Sequence, residues 1–213
     1  MKESKQAGLF DKKTSKNIDK SIGTYLFFDT ETTGLPKNWR APVEDLDNWP
    51  RIVQIAWAIY KDGEKIDGYD FIIKPDNFEI PAESSNIHGI TTEHAKKIGI
   101  PIQVALSKFE SFVVGSEFLV AHNISFDEMV IGAEFLRVNM PNSLVNKKKI
   151  CTKEISTDFC AIPSTNGKVG FKWPKLSELY IKLFGTEFED SHNAIADVEA
   201  TAKCFWEMKN RGI

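Results

Sequence analysis

The segment Phe28-Asp29-Thr30-Glu31-Thr32-Thr33-Gly34 places two carboxylates two residues apart. On an extended chain such residues share a face. The apolar run Tyr25-Leu26-Phe27-Phe28 ahead of them reads as a central strand, covered on both sides. Two carboxylates fixed side by side at its end repel each other and lose solvation. A divalent cation compensates both effects, and Mg²⁺ or Mn²⁺ takes oxygen ligands. An acidic strand-to-turn junction, with Thr33-Gly34 as the turn, would give the same local pattern, so the pair needs support from elsewhere.

That support comes from two later segments. In Ala121-His122-Asn123-Ile124-Ser125-Phe126-Asp127-Glu128-Met129, Ser125 and Glu128 have the spacing of a capping box, so a helix starts here with Asp127 in its first turn. A helix dipole alone favours an acid there, but does not account for His122-Asn123 on the same loop. In Asp190-Ser191-His192-Asn193-Ala194-Ile195-Ala196-Asp197, His192 falls in a loop and Asp197 on the second turn of a helix capped by Ser191 or Asn193. Asp29, Glu31, Asp127 and Asp197 are thus four acids at strand ends or helix starts. Converging, they need metal, and one histidine at their edge supplies a base near neutral pH.

The elements that must position them are legible in outline. Strands are predicted at 24–30, 52–60 and 69–74, with Lys61-Asp62-Gly63-Glu64 as a hairpin turn between the last two. Ile102, Ala105, Leu106, Phe109, Phe112 and Val113 recur at helical spacing behind Pro101. Phe118–Ala121 reads as a short strand. A last helix over 193–209 turns Ala194, Ile195, Val198, Ala202 and Phe205 or Trp206 to the core. Strands first, then helices alternating with short strands, predict an α/β or α+β mixed sheet. Residues 1–22 read as a flexible polar leader and 23–213 as a single domain.

Composition is that of a soluble globular chain: 213 residues, 42% hydrophobic and 27% charged. No apolar run approaches the roughly 18 residues that span a bilayer, so no membrane partner is expected. Cys151, Cys160 and Cys204 form an odd set without metal-ligand spacing, which points to a reducing, cytoplasmic setting. The net charge of −3 is unevenly spread: residues 146–182 hold eight lysines against three acids. That stretch either tracks a phosphate backbone or forms a solvated loop surface.

The motifs FDTETTG (28–34), AHNISFD (121–127) and HNAIADVEAT (192–201), with IHGIT (87–91) between the first two, resemble those of the DEDDh 3′→5′ exonucleases. This group includes the proofreading epsilon subunit of bacterial replicative polymerases, and the likeness spans roughly residues 23–210. It implies a ribonuclease-H-like fold, a mixed five-stranded sheet flanked by helices. It also implies two divalent cations, Mg²⁺ or Mn²⁺. Asp29, Glu31 and Asp197 would bind the tighter one; Asp29 would also touch the second, held by Asp127 directly or through water. His192 matches the general base. Thr32, Leu35, His88, His122, Asn123 and Phe126 match positions lining the terminal nucleotide's pocket, with Phe126 offering a stacking face or filling the core. The implied activity is release of nucleoside 5′-monophosphates from the 3′ end of single-stranded DNA, on the wording DTETTG, or of RNA. A small-phosphate-ester hydrolase fits the lysine-rich flank less well.

The sequence departs from the family in three places. Residues 35–51 form an unusually long connection holding Pro36, Pro42, Pro50, Trp39 and Trp49. The prolines forbid regular structure, and the tryptophans either stack on bases or pin the loop to the body. Residues 156–174 read as a second loop, with Lys172-Trp173 as a candidate phosphate-and-stacking pair. No polymerase-tethering tail is evident after the last motif, so a stand-alone nuclease is expected, with no signature of oligomeric state. An RNA-trimming exoribonuclease of the same family is the alternative. A non-catalytic nucleic-acid-binding module is disfavoured because all four acids and the histidine are present.

Overall fold

The computed structural model describes residues 23–164, 169–189 and 191–213; the predicted leader over 1–22 lies outside the described residues. Five strands form one sheet: β1 (Thr24–Thr32), β2 (Ile52–Lys61), β3 (Glu64–Ile72), β4 (Phe118–Ala121) and β5 (Lys148–Cys151), in the order β3-β2-β1-β4-β5. β1–β2 and β2–β3 are antiparallel, whereas β1–β4 and β4–β5 are parallel. The helices are α1 (Ala82–His88), α2 (Thr92–Ile98), α3 (Ile102–Gly115), α4 (Ile124–Arg137), α5 (Thr152–Ile155), α6 (Thr157–Cys160), α7 (Leu176–Phe184) and α8 (Ala194–Arg211).

The continuous apolar run of β1 has the expected cause. Leu26 and Phe28 face one layer, where Phe28 meets Phe109 of α3 at 5.6 Å between ring centroids. Tyr25 and Phe27 face the other, where Phe27 meets Phe205 of α8 at 5.4 Å. Phe27 is fully buried, and burial of such a side chain contributes about 1.5–3 kcal/mol. The strand therefore cannot slip by one residue without exchanging its two apolar faces. That constraint fixes which face Asp29 and Glu31 present.

Pairing of Phe27 with Val120 brings the C-terminal ends of the parallel strands β1 and β4 to one edge of the sheet. Beyond it the β1–β2 register shifts between Glu31 and Thr32, an irregularity of the kind that re-aims side chains beside functional sites.

Several local expectations change. β3 begins at Glu64 rather than at 69 and ends at Ile72. α4 starts from Asn123 in the left-handed conformation (φ 79°), with no side-chain cap. The Ser125/Glu128 capping box therefore does not form, because the helix begins before Ser125; Glu128 instead pairs with Lys149 of β5 at 2.5 Å. The predicted loop at 156–174 opens with the helical turn α6, and part of it lies outside the described residues.

The connection 35–51 is irregular but tied down. Trp49 is buried and its indole N–H donates to Pro42 O at 2.9 Å. Arg137 donates to Leu46 O and Trp49 O, each at 2.7 Å. Glu134 is almost fully buried and binds Arg51 (2.7 Å), Arg137 (3.0 Å) and the Ile52 amide (3.2 Å). This triad ties α4, the start of β2 and the loop together. Glu134→Ala leaves two arginines without their shared partner and should cost about 2–4 kcal/mol. It should also raise hydrogen exchange along 35–51; chemical denaturation and exchange measurements check both, and parental values would contradict this role.

Candidate active site

The two-residue repeat of β1 puts Asp29 and Glu31 on the α8 side of the sheet. Asp197 lies in the first turn of α8, a turn earlier than expected, and a carboxylate oxygen from each of the three lies within 4.8 Å of the others. Asp127, in the first turn of α4, stands beside this group and is buried. The Thr30 hydroxyl donates to its Oδ1 at 2.8 Å, so the residue between the two strand acids fixes the third. All four acids line one cleft of about 450 Å³ with His122, Asn123, Phe126, Lys175, Leu176, Ser177, Phe188 and His192.

Among the described residues, none of the four acids forms a salt bridge. Burial, reinforced by Asp127, Asp197 and Glu31, pushes Asp29 well above the usual carboxylate range. Burial, then the charges of Asp197 and Asp127, raises Glu31 to about 8. Burial raises Asp127 to about 7, against the opposing hydrogen bond from Thr30. Asp197 rises to about 6, also through burial, with the His192 amide pulling the other way. Four carboxylates sharing a desolvated space, none of them salt-bridged among the described residues, are the donor set of a hard divalent ion. Asp29, Glu31 and Asp197 can hold one such ion jointly.

His192 precedes α8 as expected. Its φ of 71° is left-handed, a conformation in which His is among the enriched residues. Its backbone N–H donates to Asp197 Oδ2 at 3.1 Å, and its exposed side chain borders the cleft. Asn193 is the cap, accepting from the Ile195 amide at 3.2 Å.

The six expected pocket residues divide. Asn123 and Phe126 line the cleft, and Asn123 Oδ1 also accepts from Lys153. His122 lines it too, but both its ring nitrogens have protein partners: Thr152 Oγ1 at 2.9 Å and Pro174 O at 3.1 Å. Burial lowers its pKa to about 4, so it is neutral and joins β4 to the segment before α7. Thr32, Leu35 and His88 lie outside the cleft's lining. The Thr32 hydroxyl donates to Gly34 O, Leu35 is 71% exposed, and His88 Nδ1 accepts from the Ile90 amide.

The lysine-rich stretch resolves into mostly internal contacts. Lys147 donates to Val114 O and Ser116 O, Lys148 pairs with Glu117, and Lys149 with Glu128. Lys172, expected beside a phosphate, pairs with Glu178 at 2.6 Å. Among the described residues of this stretch, Lys175 lines the cleft.

Two positioning residues escaped the sequence reading. Gln54 of β2 lies opposite Glu31. Its Oε1 accepts from the buried Ala194 amide at 3.2 Å, and its Nε2 donates to Asp70 Oδ1 at 2.8 Å and Asn193 Oδ1 at 3.4 Å. Asp70 thereby orients an amide that holds the first residue of α8. Their partners are distant in sequence, and no local pattern marks them.

A sheet of this order with an acidic cleft at the ends of β1 and β4 defines a ribonuclease-H-like nuclease domain. The exonuclease family model matches residues 26–205, and the chain belongs to this family, within its DEDDh 3′→5′ group. The chain is 32% identical to the PolC-type DNA polymerase III of Listeria welshimeri over 194 residues, covering 89% of this chain and 12% of that protein. Against the PolC-type polymerase of Staphylococcus saprophyticus it is 29% identical over 197 residues, 91% of this chain and 12% of the other. E. coli exonuclease I in complex with a dA16 oligonucleotide shares the fold, with a TM-score of 0.70 at 21% identity over 89% of this chain and 41% of that one. The zinc-bound form of the exonuclease I–ssDNA complex gives 0.68 at 23% identity, again over 89% and 41%. The chain thus spans about an eighth of the polymerases and two fifths of exonuclease I. No described helix is long and apolar enough to cross a membrane.

Two predictions follow from this geometry. Raised pKa values mean that Glu31, Asp127 and Asp197 hold more protons in the folded chain than in the unfolded one between about pH 4 and 8, so their contribution to stability falls as pH rises through that window. In EDTA the melting temperature of Glu31→Gln should fall less steeply from pH 5 to pH 8 than the parent's; equal slopes would contradict the desolvation account. Separately, Gln54→Leu should weaken Mn²⁺ binding by roughly 10- to 100-fold and expose the Ala194 amide to exchange. Asp70→Asn retains an oxygen acceptor and should bind Mn²⁺ nearly as the parent does. Calorimetry compares them, and parental affinity in Gln54→Leu would remove it as a positioning residue.

Proposed function

We propose that this chain removes nucleotides one at a time from the 3′ end of single-stranded DNA, releasing nucleoside 5′-monophosphates, with His192 as general base. The carrying observation is the convergence of Asp29, Glu31 and Asp197, with Asp127 and His192, on one cleft. At about 450 Å³ that cleft is near the low end of small-ligand sites, a size for one unpaired terminus rather than a duplex. Binding of single-stranded DNA by exonuclease I, whose fold this chain shares, supports the choice of substrate.

Asp29, Glu31 and Asp197 would hold one divalent cation, Mg²⁺ or Mn²⁺, and Asp127, steadied by Thr30, would help hold a second. Such ions would supply positive charge to the oxygens of an in-line displacement. His192 accepts the proton of the attacking water on a ring nitrogen. The water oxygen forms a bond to phosphorus as the bond from phosphorus to the upstream 3′-oxygen breaks. The leaving 3′-oxygen takes a proton from solvent, so the shortened strand ends in a 3′-hydroxyl and the terminal nucleotide leaves as its 5′-monophosphate. The amide contact to Asp197 keeps the histidine loop in register with the acids while the exposed ring stays free to meet substrate.

The test uses 5′-labelled single-stranded DNA and RNA of matched sequence, each with Mn²⁺ or with EDTA, resolved on a sequencing gel. A ladder shortening from the 3′ end, present with Mn²⁺, absent with EDTA and faster on DNA, is the expected result. Faster cleavage of RNA would reverse the sugar preference, and no ladder on either would contradict the activity. His192→Ala should slow single-turnover cleavage by roughly 10²- to 10⁴-fold with little change in binding; an unchanged rate would remove it as the base.

A further inference from the structure

The connection 35–51 carries an exposed cluster that the cleft itself does not use. Trp39 is 56% exposed, its ring centroid 5.7 Å from that of Phe126, which lines the cleft. Lys37 and Arg40, on either side of it, are exposed, and among the described residues neither forms a salt bridge. An indole flanked by two uncompensated cations, beside a site that takes a phosphodiester, has the chemistry of a base platform with phosphate contacts.

The tip is also held in place. Asn48 is buried, and its side chain grips Asn38 from both sides: Oδ1 accepts from the Asn38 amide at 2.7 Å and Nδ2 donates to Asn38 O at 3.1 Å. Asn38 Oδ1 accepts in turn from the Arg40 amide at 2.9 Å. Behind this, Trp49 and the Glu134–Arg137 pair fix the base of the loop. The two tryptophans thus divide the work, Trp49 pinning the loop and Trp39 being presented by it. An exposed aromatic side chain on a backbone already ordered binds with little further entropy loss.

We propose that Lys37, Trp39 and Arg40 form a subsite for the single strand upstream of the terminal nucleotide, with a base stacked on Trp39 and phosphates met by the two cations. The subsite rests on the exonuclease reading above and adds a specificity element supplied by this chain's own long connection. Trp39 grips the strand that remains, so it acts on strand affinity rather than on the chemical step.

The test compares the parent, Trp39→Ala, Trp39→Phe and Arg40→Gln. Turnover with Mn²⁺ is measured on the p-nitrophenyl ester of thymidine 5′-monophosphate, which has no upstream strand, and on oligothymidylate. Binding is measured by anisotropy with labelled oligothymidylate bearing a terminal phosphorothioate, in Ca²⁺. Trp39→Ala should weaken oligonucleotide binding and raise its KM by roughly 5- to 150-fold while leaving the mononucleotide ester unaffected, and Trp39→Phe should recover most of the loss. Arg40→Gln should reduce the slope of log affinity against log salt by about 0.7. An abasic nucleotide at the stacked position should weaken binding to the parent but not further to Trp39→Ala. Unchanged oligonucleotide affinity in Trp39→Ala, or equal losses on ester and oligonucleotide, would overturn the proposal. A parent that cleaves neither substrate would refute the nuclease reading instead, and the anisotropy comparison would still decide the subsite.

Discussion

The structure turns on four carboxylates brought together where water is scarce and where, among the described residues, none of them is in a salt bridge. Side by side in low dielectric, such groups repel each other and favour protonation. The chain accepts this cost at the end of a central strand whose two apolar faces are both covered. The four acids rest on three kinds of anchor. Asp29 and Glu31 are fixed by the alternation of β1, Asp127 by the start of α4 and the Thr30 hydroxyl, and Asp197 by the capped first turn of α8. With the anchors in place, a divalent ion is the compensation that matches the chemistry of the donors.

The surrounding polar contacts serve that arrangement. Gln54 and Asp70 hold the first residue of α8 from the neighbouring strands. His122, neutral in its setting, bridges the end of β4 to the segment before α7 instead of acting as an acid or base. Glu178 accepts from Lys172 and from the Lys175 amide, which steadies the approach to Lys175 at the cleft wall. Buried polar contacts that are satisfied rigidify what they touch, and those of Gln54 hold the start of the helix that carries Asp197.

What could be read from the sequence depended on how local the cause was. The two-residue spacing of Asp29 and Glu31, the first-turn placement of Asp127 and the cap at Asn193 are consequences of neighbouring residues, and the structure has them. The Ser125/Glu128 box failed because Asn123 starts the helix from a left-handed backbone, a choice that residue type permits but does not announce. The lysine-rich stretch suggested a phosphate track, but Glu117, Glu128 and Glu178 answer three of its charges from across the fold. Gln54 and Asp70 gave no signal, since their meaning lies in partners brought close only by the sheet and α8. The long connection read correctly as irregular, but which tryptophan pins it and which it presents is settled by Pro42 O and Asn48, visible only once folded.

The central claim, that a divalent cation resolves the repulsion among these carboxylates, is tested most directly by anomalous diffraction from crystals soaked in Mn²⁺. The account predicts a manganese peak bonded to oxygens of Asp29, Glu31 and Asp197 at about 2.0–2.4 Å, lost in Asp29→Asn crystals. Well-diffracting crystals with manganese elsewhere, or with none in the cleft at saturating concentration, would contradict it.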